Sequence, residues 1–144
     1  MTRPGKEKFK TRNDVFDDHT NRNLFMLAGK GYFEDGTLSP ISMGKEANIF
    51  SAKKKDGTKI IIKIYRVNTC DFNRMYDLLK RDPRFPKLTK NRRKVVYSWN
   101  QREFKNLHRA RTGKVTVPTP YLAKENILLM EFIGNEKAAP KLKD

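Results

Sequence analysis

The sequence predicts an α+β fold, an antiparallel sheet with helices packed on it, from three observations. Two apolar runs, "ANIFSAK" (47–53) and "KIIIKIYR" (59–66), flank "KKDG", whose Asp-Gly pair is a strong hairpin signal. From Asn91 the apolar period lengthens, and Val96, Trp99, Leu107 and Ala110 fall at helical spacing as far as Gly113. A further buried-strand run, "ILLMEF" (127–132), follows a stretch whose prolines exclude helix.

Taken in order, "DDHTNRNLFMLAGKGYF" (17–33) opens on acidic and Thr/Asn capping candidates, runs through Leu24, Phe25, Leu27 and Ala28, and stops at Gly29 and Gly31. That pattern predicts a short helix. "GTLSPIS" (36–42) reads as an edge strand, because Pro40 cannot donate to a central ladder. The hairpin strands come next. Residues 67–92 carry two prolines, many charges and little periodicity, which predicts a long exposed, flexible loop with one helical turn around Met75 to Leu79. The helix from Asn91 and the strand 127–132 complete the domain. Residues 1–12 read as a basic flexible arm, 13–134 as the folded unit, and 135–144 as a linker.

Composition narrows the class. The chain has 144 residues, enough for one domain with a core of its own. Its single cysteine, Cys70, excludes an intrachain disulfide, no apolar run approaches the length of a membrane span, and the start lacks a secretory segment. These features predict a cytoplasmic protein with no membrane partner. Charge is the strongest signal, at 32 Lys and Arg against 16 Asp and Glu, with pI ≈ 10.1. Thirteen basic residues against four acidic ones fall within 71–111, so more than half of the positive excess lies in under a third of the chain. A patch of this kind attracts a polyanion, for which RNA is the common candidate; a solvated surface is the plain alternative.

Two charged residues sit where apolar ones are expected. Lys63 lies in the middle of "IIIKIYR" (60–66), and Glu103 lies four residues after Trp99 and four before Leu107, on the apolar stripe of its helix. An unpaired charge in either place is costly, and an ion pair between them satisfies both. Because buried pairs are weak sources of stability, such a pair points to function. The alternative has Glu103 reaching to Arg102 or Lys105 and Lys63 at a sheet edge.

A short polar turn, a strand with a central lysine, a helix with an inward glutamate and a strand ending "LLMEFIG" follow the order of an N-terminal protein-kinase lobe. The turn is neither G-x-G-x-x-G nor a Walker A loop, which would need Gly at Ser39 and Ser or Thr at Glu46. Instead, "SMGKEANIF" resembles the S-T-G-K-E-A nucleotide loop of the RIO atypical protein kinases. "IIIKIYR" resembles their V-K-I-Y strand, "WNQREFKNLHRA" their W-x-x-K-E-x-x-N-L helix, and "LLMEFIG" with "APKLKD" their hinge and the segment after it. The resemblance covers about residues 14–144 and is nearest to the first, archaeal-like RIO subfamily.

It implies a kinase-like N-lobe, a twisted antiparallel sheet of about five strands on an αC-type helix with an extra N-terminal helix. It implies that ATP is bound with Mg²⁺, that Lys63 meets the phosphates, and that Glu103 pairs with Lys63. Ser42, Gly44, Lys45 and Glu46 would lie in the nucleotide loop and Ala47 and Ile49 beside it. Met130 would be the gatekeeper, with the Glu131 carbonyl and Ile133 amide meeting adenine. Met43 replaces the family's loop threonine, and in 67–92, the loop linked in the family to autophosphorylation, Thr69 and Thr89 are the possible acceptors. The family's H-G-D-L-S-E-Y-N catalytic loop does not occur, and the metal ligands are expected in a second lobe. The resemblance thus implies the N-lobe of a Ser/Thr kinase or ATPase of small ribosomal subunit maturation, docking on pre-ribosomal RNA through 71–111. The alternative is a basic RNA or ribonucleoprotein-binding module without catalysis.

Overall fold

A computed structural model describes residues 17–134; the predicted arm and the linker after residue 134 lie outside them. Three helices and five strands run in the order α1 (Asp18–Gly29), β1 (Ser39–Met43), β2 (Ala47–Lys53), β3 (Lys59–Tyr65), α2 (Phe72–Leu79), α3 (Arg92–Thr112), β4 (Pro120–Lys124) and β5 (Ile127–Glu131). The strands form one antiparallel sheet in the order β1-β2-β3-β5-β4. The α+β expectation is met, and Pro40 and Pro120 both stand on edge strands, where a missing N–H costs no ladder bond.

Strand alternation divides the core in two. On one face Ile60, Ile62 and Ile64 of β3 join Phe50, Ala52, Ile127 and Leu129, and α1 covers them with Leu24 and Leu27. The opposite face carries Lys63 and Tyr65, and there Tyr65, Val67 and Cys70 pack with Met75 and Leu79 of α2 and Val95 and Val96 of α3. This explains the three isoleucines: β3 is the central strand and both of its faces are covered.

Local chemistry sets the element ends. Asp17 caps α1 by accepting from the Thr20 N–H at 2.8 Å, and its carboxylate also meets Arg93 of α3 at 3.0 Å. Asn91 caps α3 at the Lys94 N–H, 3.1 Å away, and Gly113 ends it. In the β2–β3 turn Gly57 adopts φ 89°, a left-handed conformation that glycine reaches without strain.

Residues 67–92 differ from the predicted exposed loop. They contain α2, two turns rather than one, capped by Asp71 at the Arg74 N–H, and Met75 and Leu79 are fully buried. Helix α3 also differs in detail. Its fully buried residues are Val95, Val96 and Asn100, whereas Leu107 and Ala110 are only partly covered. Asn100 takes a core position because its amide donates to the Glu125 and Ile127 carbonyls, each at 2.9 Å, and so fastens α3 to the β4–β5 turn.

Candidate nucleotide-binding site

Lys63 faces Glu103 across the gap between the sheet and α3. Its Nζ lies 3.0 and 3.1 Å from the two carboxylate oxygens, with the side chains 22% and 27% exposed. The edge-strand alternative for Lys63 is excluded, since Lys63 pairs with Ile49 on one side and Leu128 on the other. The ammonium also lies 5.0 Å from the Tyr65 ring centroid. Two N–H donors of the three on an ammonium are directed at Glu103, which leaves one for another acceptor.

The pair lines an open cleft of about 440 Å³ with Glu46, Ala47, Tyr65 and Trp99 among its walls. Its roof is the β1–β2 turn, where the Gly44 N–H donates to the Ala47 carbonyl at 3.1 Å and the Asn48 Oδ1 at 3.2 Å. A Cβ on Gly44 would stand 3.2 Å from that same carbonyl, so glycine permits the close approach. The segment after β3 holds this turn down. Arg66 donates to the Gly44 carbonyl at 3.3 Å, the Thr69 hydroxyl to the Lys45 carbonyl at 2.6 Å, and Arg74 to the Glu46 carboxylate at 2.7 Å. Arg74 and Arg102 both lie against the Trp99 ring, 5.8 and 5.2 Å from its centroid, and place guanidinium charge at the cleft's edge.

Of the predicted residues, the structure gathers Glu46, Ala47, Lys63 and Glu103 in this cleft. The others stand around it. Ser42 pairs with Ile49 across the β1–β2 ladder, and Ile49 lies directly opposite Lys63; Lys45 is exposed in the turn. Met130 is buried opposite Ile61, on the face that Leu128 shares with Lys63. The Glu131 carboxylate accepts from the Thr119 N–H and hydroxyl at 3.1 and 3.2 Å, and Ile133 is exposed. Tyr65, Trp99, Arg102, Asn106 and Leu107 also line the cleft and were not singled out as site residues. The signal for them was present: Arg102, Asn106 and Leu107 lie within a turn of Glu103, and Tyr65 is two residues from Lys63 on the same strand face.

These residues suit a nucleotide's phosphates: a cation held in place by a carboxylate, a glycine turn that allows close approach, and room for a ligand. For Mg²⁺ the fit is lacking among the described residues, where no group of three or more His, Cys, Asp or Glu could hold a metal ion. Among the same residues no helix is long and apolar enough to cross a membrane.

Known proteins resemble this chain over most of its length. A family model described as the RIO domain matches residues 48–144. The RIO-type serine/threonine-protein kinase Rio1 of Haloferax volcanii is 41% identical over 128 residues, covering 89% of this chain and 44% of that protein. Its namesake in Methanocaldococcus jannaschii is 41% identical over 140 residues, 96% of this chain and 47% of that protein. The human serine/threonine-protein kinase RIO1 is 32% identical over 93% of this chain and 24% of its own. The chain thus spans less than half the length of each of these relatives. A solved structure of Rv3197 with erythromycin from Mycobacterium tuberculosis gives a TM-score of 0.44 at 16% identity, over 91% of this chain and 39% of that one, a likeness too weak to build on.

Proposed function

The chain belongs to the RIO domain family, and from that premise we propose that residues 17–134 form the ATP-binding lobe of a RIO-type serine/threonine protein kinase or ATPase. The observation that carries the proposal is the Lys63–Glu103 pair, a lysine of the central strand held at 3.0 Å by a helix carboxylate inside a cleft. Each charge alone would be costly there, and together they present a fixed ammonium to an anion.

Lys63 donates to the α- and β-phosphate oxygens while Glu103 keeps its Nζ in place. The turn of Ser42, Gly44, Lys45 and Glu46 covers the phosphates, and Ala47 and Ile49 flank the nucleotide. Met130 closes the back of the adenine pocket, with the Glu131 carbonyl and the Ile133 amide meeting the base. ATP supplies the transferable phosphoryl group, and Mg²⁺ is expected to be held by residues of a second lobe in the whole protein. None of the roles assigned to these residues depends on the metal. Phosphoryl transfer to serine or threonine, a place in small ribosomal subunit maturation and a cytoplasmic location are proposals for that whole protein.

A titration of the 144-residue chain with a fluorescent ATP analogue tests the lobe. Saturable binding that Lys63→Ala weakens by about tenfold or more is expected, since hydrogen bonds to charged groups are worth about 1.5–3 kcal/mol. Equal binding by both proteins would refute the assignment. The surplus of basic residues over 71–111 favours a second role, contact with RNA of the pre-ribosomal small subunit. RNA binding unchanged by ATP and by Lys63→Ala, with no ATP binding, would leave a basic binding module as the function.

A further inference from the structure

Arg102 belongs to two clefts. Besides the nucleotide cleft it lines a second one of about 410 Å³, where the end of α2 and the residues after it meet α3. Arg81, Arg84, Arg102 and Arg109 face this second cleft, and Asp82 is the one carboxylate among its lining residues. Arg84 grips Asp82 through Nε and Nη2, at 3.0 and 2.8 Å, and Nη2 also donates to the Asn106 Oδ1 at 3.0 Å. Arg102 Nε stands 3.4 Å from the same carboxylate.

One carboxylate is therefore shared between two guanidinium groups. The Arg84 Nη1 remains buried without a hydrogen-bond partner, and the exposed Arg81 and Arg109 have no ion-pair partner among the described residues. Four guanidinium groups around a concave surface repel one another unless an anion joins them. The planar fork of arginine matches the paired oxygens of a phosphate. We propose that this cleft is a phosphate-binding site for the backbone of an RNA strand, adjoining the nucleotide cleft through the shared Arg102.

The surroundings favour a strand over a single phosphate group. Lys105 reaches within 5.2 Å of the Phe85 ring, next to Arg84, and Lys80 and Lys90 both reach within 5.6 Å of the Tyr76 ring. The basic surface thus continues past the cleft on the same segment. Lys80 is already paired with Asp77 at 3.5 Å, but an isolated phosphomonoester would leave Lys90 and Lys105 without an ion-pair partner among the described residues, whereas a run of phosphodiesters meets them in turn and gains from counterion release. The inference rests on RNA being a partner of this chain, and it names where the strand is held.

The test is fluorescence anisotropy of a labelled single-stranded RNA of about 20 nucleotides with the 144-residue chain, at salt from about 50 to about 200 mM. Arg81→Glu with Arg109→Glu should weaken binding by about tenfold or more and make the salt slope shallower by about 1.4, about 0.7 per lost phosphate contact. Lys53→Glu with Lys55→Glu, the same charge change on exposed residues of the β2–β3 hairpin, should leave affinity within about twofold. Circular dichroism checks that both variants fold. Equal losses from the two pairs would overturn the cleft assignment and leave the RNA partner standing. A wild-type chain with no saturable RNA binding would overturn both. Displacement of the RNA by a phosphoserine peptide that binds more tightly would assign the cleft to a modified protein segment instead.

Discussion

Replacing Glu103 with alanine separates a positioning role for this residue from a structural one, and its sign depends on Lys63. At 3.0 Å and an effective dielectric near 20, the attraction between the two charges is roughly 5 kcal/mol before desolvation and side-chain ordering are subtracted. Charged hydrogen bonds retain about 1.5–3 kcal/mol in mutational series, and 22% and 27% exposure places this pair at the low end of that range. Loss of Glu103 also removes a carboxylate that repels the nucleotide's phosphates, a relief of about 1 kcal/mol or less in a site open to water. The positioning loss is the larger, so Glu103→Ala should weaken ATP binding by about three- to tenfold. In a Lys63→Ala background there is nothing left to position, and only the relief remains. There the same substitution should leave affinity unchanged or slightly improved. Fluorescent-nucleotide titration of the two single variants and the double variant reads this reversal directly. An identical fold-change in both backgrounds would mean that Glu103 does not act through Lys63, and the reasoning would fail.

Asn100→Ala should lower stability by about 3 kcal/mol in urea unfolding, because it strips the Glu125 and Ile127 carbonyls of their donor at a fully buried position; a loss below about 0.5 kcal/mol would show that water replaces the amide. Leu24→Ala should cost about 2–5 kcal/mol and, if α1 is part of the core, unfold the chain in one cooperative transition rather than melt α1 alone. Asp82 gives a pH signature. The hydrogen bond from the Arg84 side chain, aided by the Arg84 N–H, holds its carboxyl well below the usual 3.8. A carboxyl depressed in the folded state stabilises fully above its unfolded pKa and loses that contribution as pH falls toward the folded value. The melting temperature should therefore decline below about pH 4, and Asp82→Asn should flatten part of that decline; superimposable profiles would contradict it.

Much of the site was legible because charge and period conflict there. Lys63 among isoleucines and Glu103 on an apolar stripe each break the local pattern, and the contact that resolves both spans 40 residues of sequence. The hairpin and the ends of α1 and α3 were legible from Asp17, Gly57, Asn91 and Gly113, whose backbone chemistry is local. Helix α2 was underestimated because Met75 and Leu79 alone make its buried stripe, and the cap at Asp71 is the sign that marks its start. Strand β4 escaped notice because Pro118 and Pro120 mask a strand that needs few ladder bonds at the sheet edge. Asn100 was not singled out from the sequence, and Arg102 entered only as an alternative partner for Glu103. Their roles depend on the β4–β5 turn and on α2, partners that no spacing within α3 encodes.

A crystal structure of the chain with a non-hydrolysable ATP analogue would place the ligand against the residues named above. The expected result has Lys63 Nζ about 3 Å from α- or β-phosphate oxygens with Glu103 still in contact, and adenine between Ala47 and the Met130 end of β5. An analogue seated away from the Lys63–Glu103 pair, with that pair unchanged, would contradict the nucleotide-binding account of this fold.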